Sequence, residues 1–226
     1  MSKQNKASNL KIANIAKYLL VMLLPLLVFL INFNYLALNY GFVRSLQQKI
    51  NSDITLENRL HQTDNIISYF KGREVLDQSF YSEQARLHLG EVKDLLTAIT
   101  VLITLNIIVV LLLIIIIVHE KDYESIFIGM LYSCLAGLGF FFLLGFTVSN
   151  FFDPFFLSLH KLIFTDNLWL FPSTDTLVRL FPSEYFELFA KKLVINTVVV
   201  NLALIILSLV GVKLIKKPAS GTIKNN

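Results

Sequence analysis

The chain has one cysteine, Cys134, in 226 residues. No intrachain disulfide and no cysteine-based metal site can be built from it. Charge is also scarce. Only 16% of residues are Asp, Glu, Lys or Arg, against about 25% in an ordinary soluble domain. The basic residues are not gathered on one polar segment, so the formal net charge of +4 does not point to nucleic acid. There is no HExxH for zinc and no GxSxG for a serine nucleophile. No internal repeat or low-complexity stretch is present. What fills the chain is apolar: 55% of residues are hydrophobic and mean hydropathy is +0.64. That balance describes a small integral membrane protein.

Four apolar runs each reach the roughly 20 residues that cross about 30 Å of hydrocarbon. The first lies within 1–38, from about Tyr18 onward, and contains Pro25, which is placed to kink it. The lysines before it resemble a signal-peptide n-region, but no small-residue cleavage site follows, so it reads as an uncleaved anchor. The others cover 95–118, 126–148 and 192–215. Gly129, Gly137, Gly139 and Gly145 in the third suit close helix packing. The fold class expected is all-α transmembrane, a four-helix membrane bundle.

Lys3, Lys6, Lys11 and Lys17 precede the first span, and Lys213, Lys216, Lys217 and Lys224 close the last. The excess of positive charge beside the membrane puts both termini in the cytoplasm. Residues 119–125 then form a cytoplasmic turn, and 216–226 a cytoplasmic tail that is expected to be disordered after Lys217. Two segments face outward, 39–94 and 149–191, and would build an extracellular cap. The first is polar, with a helix expected from Phe42 to Phe70. The second is rich in aromatic residues broken by Asp153-Pro154, Asp166-Asn167, Pro172-Ser173, Asp175 and Pro182. Aromatic side chains favour the headgroup level. The segment reads either as an interfacial belt or as an aromatic-walled pocket for lipid chains, and the two are compatible.

Four histidines are present. His61 sits among Asn58, Arg59, Gln62 and Asp64 and reads as solvated. His119 closes the second span, where a positive group suits a helix C-terminus. His88 lies just before the second span and His160 just after the third, so the topology puts both on one face of the membrane. Gly90 is expected to break the chain between His88 and the span. Each histidine taken alone is explained by structure. As a pair they allow three chemistries. A metal site would recruit Glu91, Asp153 or Asp166, but recognisable ligand spacing is missing. A serine hydrolase has no elbow to use. Direct histidine acid–base or nucleophilic catalysis requires no further motif, and the setting suggests an acyl substrate. A non-catalytic protein that binds lipoprotein or lipid through the aromatic segment is the alternative from another class.

His88-Leu89-Gly90-Glu91-Val92-Lys93 and the run His160-Lys161-Leu162-Ile163-Phe164-Thr165-Asp166-Asn167-Leu168-Trp169 resemble the paired motifs of the bacterial lipoprotein intramolecular transacylases. The second motif continues through Asp175-Thr176-Leu177 and Phe181-Pro182-Ser183-Glu184-Tyr185-Phe186, and Ile66-Ile67-Ser68-Tyr69-Phe70 is similar to a further family segment. Chain length and the four-span layout match as well. Two positions depart from the pattern: Glu91 stands in place of Asp, and Phe171 precedes Pro172 in place of an acidic residue.

The resemblance implies a four-helix membrane domain with an extracellular cap and both histidines at the boundary. It implies a diacylglyceryl lipoprotein as substrate, with membrane lipid around it. The reaction implied moves the sn-2 acyl chain to the α-amino group of the substrate's own N-terminal cysteine and leaves the lyso form. His88 and His160 would be catalytic, without cofactor or metal, at the outer leaflet of the cell membrane. Glu91, Lys93, Asp166, Asn167 and Asp175 are supporting candidates. For Lys93 the plainer reading is a snorkelling anchor, and for Asp166 and Asn167 a turn. Phe151, Phe155, Phe164, Trp169 and Phe171 are candidate pocket walls.

Overall fold

The computed structural model describes residues 3–216, with side chains from Asn14 onward. The disordered tail expected after Lys217 lies outside the described residues. Eight helices follow in order: α1 (Lys3–Ala37), α2 (Tyr40–Gln47), α3 (Leu56–Phe70), α4 (Glu83–His119), α5 (Tyr123–Asn150), α6 (Phe152–Ile163), α7 (Thr176–Leu180) and α8 (Ser183–Lys216). No strand occurs among the described residues. Four helices, α1, α4, α5 and α8, are long and apolar enough to cross a membrane, so the all-α transmembrane expectation holds. Their apolar side chains are largely uncovered, as with Phe142 at 73% and Ile115 at 62% exposure. Such surface needs lipid around it.

Three of these helices, α1, α4 and α8, start well before the apolar runs they carry. α4, at 37 residues, is about 55 Å long at 1.5 Å per residue, well beyond the roughly 30 Å of hydrocarbon. Between Asp94 and His119 it has no ionisable side chain, whereas Glu83, Arg86, His88, Glu91, Lys93 and Asp94 crowd its start. The uninterrupted apolar part of α4 therefore begins at Leu95, after about three polar turns. The break expected at Gly90 does not occur. One glycine in a helix interior costs only about 1 kcal/mol, and a Cβ there would lie 3.7 Å from the Tyr69 hydroxyl. A side chain at position 90 would therefore meet Tyr69 at ordinary contact distance.

The chain divides into two compact units. One comprises Met1–Val28, Thr104–Phe140 and Thr197–Asn226; the other comprises Phe29–Ile103 and Phe141–Asn196. In the first, small and polar residues bring helices together. Ser133 Oγ donates to Leu20 O and Asn106 Nδ2 to Leu23 O, each at 3.3 Å. α1 stays helical through Pro25. Gly137 admits Pro25 and Asn201, both 3.1 Å from where its Cβ would stand, and Gly129 does the same for Lys17. Gly139, expected at a close approach, meets nothing within 4 Å. Gly211, which the sequence reading passed over, is the tightest glycine: a Cβ there would overlap the Phe127 ring. Gly211→Ala should therefore cost about 1–3 kcal/mol, read as a lower melting temperature in detergent. An unchanged melting temperature would show that α5 and α8 are not held this closely.

The second unit carries both segments expected to form the cap. The single helix expected from Phe42 to Phe70 is two, α2 and α3. Asn51-Ser52-Asp53 separates them, and Ser52 Oγ accepts the Ile54 amide at 3.2 Å. Such local side-chain bonds compete with helix. Asn39 caps α2 through Phe42 N at 2.8 Å. One core joins Ile54, Ile66, Leu76, Tyr81, Ala85 and Leu89 to Leu177 and Leu180. A second holds Val43, Leu46, Ile50, Ile67 and Tyr185. Adjacent Ile66 and Ile67 thus serve different cores from one helix. Hydrogen bonds tie the two segments: Gln47 Nε2 to Leu180 O at 3.0 Å, Ser52 Oγ to Arg179 O at 2.8 Å, and Thr176 Oγ1 to Phe80 O at 2.7 Å. Gln84 Nε2 also donates to Leu168 O and Leu170 O. The two segments are one body.

Candidate active site

His88 projects from the polar start of α4 and His160 from α6, both in the second unit. Their ring centroids are 6.4 Å apart. His88 is 7% exposed and meets Phe164 edge-on at 4.8 Å and Phe171 at 5.7 Å. His160 is half-buried and meets Phe156 at 4.1 Å, Trp169 at 5.4 Å and Phe164 at 5.7 Å. Phe164 therefore touches both rings. Residues four apart share a helix face, which places Phe156, His160 and Phe164 in one column.

The hydrogen bonds set the proton positions. His160 Nδ1 lies 2.9 Å from Phe156 O. A carbonyl can only accept, so Nδ1 carries the hydrogen and neutral His160 keeps Nε2 as an open acceptor. His88 Nδ1 lies 3.3 Å from Glu91 Oε2, one helical turn on. The Glu91 and Asp166 carboxyls lie close enough to shift each other's titration in opposite directions.

Burial, helped by the nearby His160 and opposed by the Asp166 charge, holds the His88 ring at about 4 instead of 6.5. Burial also lowers His160, partly offset by its bond to Phe156 O. Both rings are therefore neutral at pH 7. Burial, then the neighbouring Asp166, pushes Glu91 up to about 7. The bond from Leu168 N, followed by the neighbouring Glu91, keeps Asp166 below the usual carboxylate range.

This depression has a measurable sign. An unfolded imidazole titrates near 6.5 and folded His88 at about 4. Above pH 6.5 neither state binds the proton. As pH falls from 6.5 towards 4, the unfolded state gains a proton that the folded state refuses, so stability falls. Melting temperature should drop over that range, and drop less in His88→Asn. An equal pH dependence in the two proteins would contradict the buried neutral ring.

The sequence profile described as lipoprotein intramolecular transacylase Lit matches residues 12–186. The chain belongs to the Lit family. Solved structures of the membrane-integral Lit from Bacillus cereus share its fold. One is 18% identical with a TM-score of 0.74, covering 89% of this chain and 96% of that one. A variant of the same protein with a histidine changed to arginine is 17% identical with a TM-score of 0.73, covering 93% and 96%. A histidine-to-alanine variant is 17% identical with a TM-score of 0.71, covering 92% and 97%. Among curated protein sequences none matches. As a member of the Lit family the chain is a multi-pass membrane acyltransferase, a lipoprotein intramolecular transacylase.

The other residues singled out in this Lit-family chain divide. Phe164, Trp169 and Phe171 stand against the histidines. Phe151 is 54% exposed and meets Phe146 in a tilted contact at 6.1 Å. Phe155 is half-buried one position off the His160 column, and neither ring meets a histidine. The position was filled instead by Phe156, which also contacts Phe186 at 5.0 Å. Its four-residue spacing from His160 was the signal for it. Lys93 Nζ sits 4.2 Å over the Tyr69 ring, a cation–π contact. Asp175 caps α7 through Leu177 N at 2.8 Å and accepts from Ser82 Oγ at 2.9 Å. Its contacts brace the fold, away from the rings. Asp166 Oδ1 accepts Leu168 N at 2.9 Å, the turn foreseen for it, and its carboxyl also reaches Glu91. Asn167 is exposed on the rim of a cleft beside Trp169. Among the described residues no group of three His, Cys, Asp or Glu is placed to hold a metal.

Proposed function

We propose that the protein moves the sn-2 acyl chain of a diacylglyceryl lipoprotein to the α-amino group of that lipoprotein's N-terminal cysteine, with His88 and His160 as acid–base catalysts. The observation that carries this reading is the facing pair of neutral rings, with His160 Nε2 left open by the Nδ1 bond to Phe156 O.

The substrate amine, with an ordinary pKa of about 7.7–8.0, is largely protonated at neutral pH. A neutral histidine removes a proton from it. The nitrogen then attacks the ester carbonyl carbon, a C–N bond forms, and the C–O bond to the glyceryl oxygen breaks. A proton returns to that oxygen, and one proton per turnover leaves as the ammonium becomes an amide. His160 suits the base because its open Nε2 is fixed in place. His88 suits the partner that protonates the leaving oxygen or steadies the oxyanion.

The attack closes an eight-membered ring through nitrogen, Cα, Cβ, sulfur, two glyceryl carbons, oxygen and the acyl carbon. An unconstrained chain closes such a ring poorly, so confinement supplies much of the acceleration. Phe164, Phe171 and Trp169 against the two imidazoles offer rigid walls for it. Trp169→Ala should lower the rate about 10-fold or more while shifting the melting temperature little, because the side chain borders the cleft and lies outside the two buried cores. Matching losses of rate and melting temperature would make it a fold residue. In this reading both termini are cytoplasmic and the histidines work at the outer leaflet. The test is mass spectrometry of a lipoprotein's N-terminal peptide from cells with and without the protein. N-acyl, S-monoacylglyceryl cysteine should appear only with it, and its failure to appear would leave a lipid-binding role.

A further inference from the structure

A cleft of about 460 Å³ opens beside the histidines, lined by Lys161, Phe164, Asp166, Asn167, Trp169 and Leu170 among others. Phe164 and Trp169 are also the rings that pack on His160, so cleft and histidines share a wall. Asp166 is held rigidly at this wall. Its Oδ1 accepts Leu168 N, its backbone carbonyl accepts Trp169 Nε1 at 2.9 Å, and its carboxyl is electrostatically coupled to Glu91, which leans on His88 Nδ1.

Burial and Asp166 push the Glu91 carboxyl up, and the bond from Leu168 N holds Asp166 down, so Asp166 is the member of this pair that carries the charge. Among the described residues none of the ion pairs includes Asp166, nor Lys161, the one cation lining its cleft. Both histidines are neutral and supply no counter-charge. Asp166 thus presents a carboxylate outside any ion pair on the wall that the cleft shares with His160.

We propose that Asp166, braced by Glu91, receives the α-ammonium of the substrate's N-terminal cysteine and thereby selects lipoproteins whose amine is still free. The proposal rests on the transfer reading above and adds how the substrate is chosen and released. An ammonium brings a full positive charge and three donors to the carboxylate, a bond of the charge-assisted kind. The product brings an uncharged amide with one N–H. Transfer itself therefore removes the grip, so the product leaves and an already N-acylated lipoprotein is refused. Asp166 is a binding residue for the reacting amine; Glu91 positions it.

The test uses the full chain in detergent micelles and two synthetic peptides bearing cysteine S-linked to a glyceryl group with two ether-linked chains, which cannot be transferred, one with a free α-amine and one N-acetylated. Affinities for both are measured for the wild type, Asp166→Asn and Asp166→Glu, alongside conversion of the ester-linked free-amine peptide by the wild type. The wild type should prefer the free amine at least about 10-fold. Asp166→Asn should bind the two peptides within about twofold while keeping wild-type affinity for the acetylated one, which also shows the site is folded. Asp166→Glu should restore much of the preference. A wild type that binds both peptides alike, or an Asp166→Asn protein that keeps the full preference, would overturn the proposal. The affinity ratio is read without turnover, so failure of conversion would count against the transfer reading alone.

Discussion

Replacing His160 by alanine should abolish acyl transfer and leave the fold standing. The ring is half-buried on α6, its one hydrogen bond runs to a carbonyl of its own helix, and no buried core depends on it. Removing a positioned acid or base typically costs about 10²–10⁴ in rate. His88→Ala should cost as much activity and somewhat more stability. His88 is 7% exposed against Phe164 and Phe171, so alanine leaves a gap beside two rings. Rates are read as lyso-form peptide by mass spectrometry and folding as melting temperature. Transfer within about tenfold of wild type in either variant would remove that histidine from the chemistry.

Leu180→Ala should be among the most damaging substitutions in the second unit, although it touches neither histidine. Leu180 is fully buried in the core that also contains Leu177, Ala85 and Leu89. Its carbonyl accepts Gln47 Nε2, so α7 is locked to α2 at the same point. Deleting a buried leucine side chain costs about 2–5 kcal/mol. Leu89 is the neighbour of His88, so the same core fixes the turn of α4 from which the histidine projects. The variant should melt markedly lower, and its residual activity should fall with temperature sooner than that of the wild type. An unchanged melting temperature would mean that this core does not hold the two segments together.

The membrane helices were legible because apolar runs announce themselves without any tertiary information. Their polar extensions were not. Nothing before Leu95 marks a helix start except Ser82, whose Oγ accepts the Ala85 amide at 3.1 Å, and a single glycine was given more breaking power than it has. The stretch from Asn51 to Asp53 reversed the error, since turn-forming side chains were read through as helix. The histidine pair was legible from topology, because each stands beside a span on the same face. The walls were legible only in part. Aromatic residues crowd the segment from Phe151 to Phe189, and composition cannot say which of them share a face. Helical spacing from His160 selects Phe156 and Phe164 and passes over Phe155. Glu91 on α4 and Asp166 in the loop after α6 shift each other's titration, a pairing across a long stretch of chain that no local pattern encodes.

The account turns on His88 and His160 acting as one device. The most direct measurement follows single-turnover transfer of an isotopically labelled sn-2 chain to the cysteine nitrogen in four proteins: wild type, His88→Ala, His160→Ala and the double variant. Groups that act as a unit are not additive. The account predicts a double variant no slower than the slower single variant. A double variant slowed by the product of the two single losses would show two independent contributions and contradict it.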